Sequence, residues 1–132
     1  MDDDQQDAPA PAGRQDPWGT VERLYEWLDS HSRSAPQEAL LLRMLKLSEE
    51  VGEVAQAVIG ATGHNPRKGA SHTWDDVQAE LCDVIITAMV ALRTLTPDAA
   101  DVLAGHLRRV DERSGAAGEA GGGGKSAGPA GR

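Results

Sequence analysis

Two groups of acids stand at helical spacing in this chain: Glu50 and Glu53, preceded by Glu49, and further on Glu80 and Asp83. Residues three apart on an α-helix lie side by side, so each pair turns two carboxylates towards one point. Carboxylate oxygens suit hard divalent cations such as Mg²⁺ or Mn²⁺. Four of them converging without a cation would repel one another and raise their pKa values. A single ExxE reads as a solvated helix face, with Lys46 as the i, i+4 partner of Glu50. Two such pairs, each on the flank of an apolar stripe and on neighbouring helices, read either as solvated faces or as a metal site. Spacing alone leaves both open.

Four helical segments have to position these residues. Asp16-Pro17 is a cap followed by proline at the first helical position. Val21, Leu24, Tyr25 and Leu28 then predict a helix over 17–29. Leu40, Met44, Leu47, Val51, Val54 and Val58 alternate steps of four and three, a bundle seam. They predict a second helix over 36–59, ended by Gly60 and Gly63. The loop 61–72 is polar and is expected to be mobile. Thr73 to Asp76 resembles a capping box with Asp in place of Glu, and opens a third helix over 74–95 with Val77, Leu81, Val84, Ala88 and Leu92 on one stripe. Thr96-Pro97-Asp98 repeats the cap-then-proline signal for a fourth helix over 97–113. Helices two and three, joined by one loop, are expected to pack antiparallel, which lets their acidic flanks face each other. Helix three also has a second apolar face, Cys82, Ile86, Met89 and Val90. A helix that is apolar nearly all round is buried on both sides, so a dimer or larger oligomer is expected. Cys82 itself reads as a small core residue.

Composition narrows the class. The chain has 132 residues, a net charge of −8, no Phe and a single cysteine. One domain fits that length. The acidity argues against nucleic acid and anionic membranes as partners. With aromatics at 3% of residues, the core must come from Leu, Val, Ile, Ala and Met, which favours helices. One cysteine excludes an intrachain disulfide and a multi-cysteine zinc site. No apolar run approaches a membrane span, and the acidic start is not a signal peptide; a soluble cytoplasmic protein is expected. The segment 1–15 has no apolar face, and 115–132 is rich in glycine. Both are expected to be disordered tails around a domain over 16–114.

The stretches LSEEVGEV at Leu47 to Val54 and AELCDV at Ala79 to Val84 together resemble the MazG-like all-α nucleoside triphosphate pyrophosphohydrolases, whose signature is EExxE, a variable spacer, then ExxD. The resemblance extends over about 24–95, and dCTP, dUTP and phosphoribosyl-ATP pyrophosphatases share the scaffold. It implies an all-α, four-helix bundle-type domain and Mg²⁺-dependent cleavage, with Mn²⁺ as a substitute, between the α and β phosphates of a nucleoside triphosphate. Glu50, Glu53, Glu80 and Asp83 would then hold the metal, and Glu49 would orient the attacking water or bind a further metal. Glu49, Glu50 and Glu53 make up the catalytic set. Arg67 and Lys68 would reach the β and γ phosphates, or serve as an ordinary solubilising pair. Lys46 would touch phosphate, or remain a helix partner of Glu50. Trp27, with Trp18 and Trp74 as further candidates, would stack on the base or simply pack. Relatives sometimes carry an Asn after ExxD; this chain has none there.

The expected function is therefore nucleotide-pool house-cleaning by hydrolysis of (deoxy)nucleoside triphosphates to monophosphate and pyrophosphate. The alternative is a non-catalytic nucleotide-binding or regulatory bundle that keeps the acids.

Overall fold

The computed structural model describes residues 16–121, which form four α-helices and no strand: α1 (Pro17–His31), α2 (Pro36–Thr62), α3 (Trp74–Leu95) and α4 (Ala99–Gly121). Local chemistry accounts for most of the boundaries. Asp16 caps α1 by accepting from the Trp18 amide at 3.1 Å, with Pro17 in the first turn. α2 has no side-chain cap and starts at Pro36, whose missing amide would have had no intrahelical partner anyway. At α3 the Thr73 hydroxyl takes the Asp76 amide while the Asp76 carboxylate takes the Thr73 amide at 2.8 Å. Such caps are worth about 1 kcal/mol each. Those bonds, that of the Thr73 amide foremost, hold the Asp76 carboxyl below its ordinary value.

Four boundaries move from expectation, the smallest being the end of α1, which reaches His31 rather than 29. Gly60 does not end α2; the helix continues to Thr62 and turns off at Gly63, which adopts φ +65°, a conformation open to glycine. α4 begins at Ala99, because Pro97 and Asp98 form a turn in which the Asp98 amide bonds the Thr96 hydroxyl at 3.2 Å. It also continues to Gly121, past the expected end at 113 and into the segment read as a tail. The rest of that segment and the N-terminal stretch 1–15 lie outside the described residues. The 61–72 loop is tied down rather than free: the Ser71 amide donates to the Gly60 carbonyl at 3.1 Å, and the Lys68 and Gly69 amides donate to that of Asn65.

α3 is the central element, packed against α2 along its length and against α1 and α4. Arg43 near the start of α2 donates to Thr94 near the end of α3 at 2.8 Å, while the far end of α2 meets the loop that enters α3. The two helices are therefore antiparallel. α1 is held to α3 by a two-pronged ion pair, Arg93 to Glu22 at 2.6 and 2.9 Å, and the same guanidinium lies 4.1 Å from the centre of the Tyr25 ring. Its hydrogen bonds hold the Glu22 carboxyl below its ordinary value.

The interior is thin. Val21, Ala57, Val77, Val90, Ala91 and Ala99 are the buried apolar residues, and no large side chain among the described residues is fully buried. Leu41, Leu45, Val51 and Ile59 of α2 and Leu81 and Ile85 of α3 stand exposed on the single chain. The second apolar face of α3 is divided on the single chain: Val90 is buried, Ile86 and Val90 line a groove made with α1 and α2, and Cys82 is exposed rather than a core residue. No helix among the described residues is long and apolar enough to cross a membrane.

Candidate metal centre

The antiparallel register brings the two acidic motifs together. Glu50 of α2 and Glu80 and Asp83 of α3 each offer a carboxylate oxygen, all within 4.8 Å of one another. Glu50 is 8% exposed, the only buried charged residue among those described; Glu80 is half-buried and Asp83 exposed. Apolar neighbours explain why α2 turns Glu50 inwards. Leu47, Val54 and Ala57 lie three, four and seven residues from Glu50, on the face that α2 buries, so the seam that carries them inwards carries Glu50 with it.

Glu53, one turn on, is half-buried. The negative charge of Glu50 pushes the Glu53 carboxyl above its ordinary value. Partial burial, a hydrogen bond with Glu50 and the charge of Glu80 add to this, and Lys46 opposes it. Glu53 thus feels the cluster without contributing an oxygen to the close triad. Glu49 lies further out, its side chain more than half exposed, and pairs with Lys46 at 3.0 Å. The same Lys46 ammonium stands 3.3 Å from Glu50. These bonds, that to Glu49 foremost, raise the pKa of Lys46.

An all-oxygen donor set from three carboxylates on two helices fits a hard divalent cation. The crowding of negative charge that raises the Glu53 carboxyl is the condition that such a cation relieves.

Beside the acids runs a groove of ≈ 520 Å³ bounded by α1, α2 and α3. Trp27 and His31 of α1, Leu42 and Lys46 of α2, and Ile86 and Thr87 of α3 are among its walls. Lys46 joins groove to acids, since it lines the first and touches the second. Trp27 is 57% exposed and stacks on His31 with ring centres 4.7 Å apart. Sequence reading passed over His31, although its i, i+4 spacing from Trp27 was the available signal. It also missed Arg43, which bonds Thr94 and lies 5.4 Å from the Tyr25 ring centre.

The other expected contacts are placed elsewhere. Lys68 lines a second cavity of ≈ 210 Å³ with Gln56, Ile59, Gly60, Asn65, Ser71 and His72. The Arg67 amide bonds the Asn65 side chain at 3.0 Å, and both Arg67 and Lys68 are exposed. Trp74 starts α3, exposed and at the opposite end of that helix from Arg93 and α1. Trp18 is half-buried in the first turn of α1.

An all-α, four-helix domain with a partly buried Glu/Glu/Asp cluster able to coordinate a divalent cation is the class that this fold and site define. No protein-family model, no curated protein and no solved structure matches the chain.

Proposed function

We propose that the protein is a Mg²⁺-dependent, MazG-like nucleotide pyrophosphohydrolase that cleaves (deoxy)nucleoside triphosphates between the α and β phosphates. The observation that carries this reading is the convergence of Glu50, Glu80 and Asp83 beside a groove large enough for a nucleoside. In this scheme Glu50, Glu80 and Asp83, with Glu53 completing the set, hold the ion. When bound, Mg²⁺ supplies charge neutralisation on the triphosphate and acidifies the attacking water. Glu49, exposed at the rim, orients that water and accepts its proton. Lys46 binds a phosphate oxygen from the groove side. Trp27 offers a face for the base. The protein's task is otherwise positioning, and the paired helices α2 and α3 supply the rigid frame. Lys68 lines the second cavity and Arg67 is exposed in the same loop; neither lines the groove, and in this scheme they make no phosphate contact.

The scheme includes a homo-oligomer, which the exposed Leu and Ile side chains of α2 and α3 support, and a cytoplasmic role in clearing unwanted nucleotides. The test is pyrophosphate release from a panel of ribo- and deoxynucleoside triphosphates with Mg²⁺, beside Glu53→Gln. Release by the wild type that the variant and a chelator abolish is the expected result. No release from any nucleotide, with nucleotide binding retained, would leave a non-catalytic binding bundle in its place.

A further inference from the structure

Lys46 is the cation that the acids already possess. Its ammonium bridges Glu49 at 3.0 Å and Glu50 at 3.3 Å, and Glu50 is one of the three carboxylates whose oxygens converge. The same side chain forms part of the groove wall. Two demands therefore meet at one ammonium. A divalent ion on Glu50 competes with it electrostatically, since like charges a few ångströms apart repel. An anionic ligand in the groove attracts it. From this geometry we infer that Lys46 is an exchangeable counter-cation: a divalent ion takes its place on Glu50, and the freed ammonium serves the anion in the groove. Metal and anion binding are thereby coupled through one positioning residue. This role rests on the metal-site reading above.

An exchangeable Lys46 acts with opposite sign on metal and on anion, which a plain helix-stabilising pair does not. Lys46→Met removes the competing charge and keeps the length of the side chain. It is expected to tighten Mn²⁺ binding about fivefold, the upper end of what a surface ion pair commands, because Lys46 is half exposed while Glu50 is largely buried. It is also expected to weaken binding of tripolyphosphate, at saturating Mn²⁺, about tenfold, as loss of a charge-assisted hydrogen bond does. Lys46→Arg retains the charge and should restore both affinities towards the wild type. Calorimetric titration of Mn²⁺ alone, then of tripolyphosphate, reads both quantities without turnover. Mn²⁺ binding that is the same in wild type and Lys46→Met overturns the role and leaves the metal site standing. A loss of Mn²⁺ affinity in Lys46→Met also overturns it. Failure of wild type and variant alike to bind Mn²⁺ overturns the metal site and the role together.

Discussion

Replacing Gly52 by Ala should stabilise the protein and replacing Gly60 by Ala should destabilise it, although both glycines stand inside α2. Ala is favoured over Gly within a helix by about 1 kcal/mol, and that gain is common to both positions. At Gly52 an added Cβ meets nothing within 4 Å, so the gain is realised in full. At Gly60 the same atom would overlap the His72 ring and stand 2.6 Å from the Ser71 hydroxyl. His72 and Ser71 would have to move, giving up their mutual bond of 2.9 Å and straining the loop whose Ser71 amide is anchored on the Gly60 carbonyl. Overpacking of this kind costs about 1–3 kcal/mol. Because the helix-propensity gain cancels between the two variants, their difference isolates the clash at about 2 kcal/mol, or about 10 °C in Tm for a domain of this size. The assay is thermal or urea denaturation at one fixed protein concentration, since self-association would add a concentration-dependent contribution. Equal midpoints for the two variants, both above the wild type, would refute the docking of the loop on α2. The Gly52 variant carries a second lesson. Gly52 lies between Glu50 and Glu53, and among the described residues nothing comes within 4 Å of a Cβ placed there. A destabilised Gly52→Ala would mean that something beyond the described residues, such as another copy, packs there.

Glu53 sets a pH dependence whose sign follows from its environment. Its carboxyl is raised above 4.5, first by the charge of Glu50, so ionised Glu53 disfavours the fold. That penalty is fully present above its folded pKa and fades as pH falls through that value towards 4.5. In chelator, Tm of the wild type relative to Glu53→Gln should rise over that acid window, and Mg²⁺ should flatten the difference; parallel Tm–pH curves would count against it. The thin interior makes a second expectation. Leu45 is 65% exposed on the single chain, and light scattering at micromolar concentration should give an oligomeric mass that Leu45→Glu lowers. A monomeric wild type would remove the explanation for the exposed apolar faces.

Much of the helical layout was legible because its determinants are local. Asp16-Pro17, Pro36 and the Thr73/Asp76 box each act within one turn of a helix, and the observed starts of α1, α2 and α3 fall on them. Gly60 misled for a reason that is not local. Its missing Cβ makes room for Ser71 and His72, which are close only after the chain has turned back. The C-terminal end of α4 misled because glycine's low helix propensity is a weak prior.

The candidate site divides in the same way. Spacing alone placed Glu50 beside Glu53 and Glu80 beside Asp83, since i, i+3 neighbours are set by helical pitch. Only the antiparallel register of α2 on α3 selected Glu50, Glu80 and Asp83 as the close triad and left Glu53 just outside it. Packing likewise decided that Lys46, whose pairing with Glu50 follows from i, i+4 spacing, also walls the groove, that Trp27 and His31 wall it too, and that Lys68 lines a different cavity. The sequence by itself determined which carboxylates are available and which helices carry them, because residue type and helical repeat are properties of short segments. Which of those carboxylates meet was decided by the tertiary structure, because that depends on how two helices slide and rotate against each other.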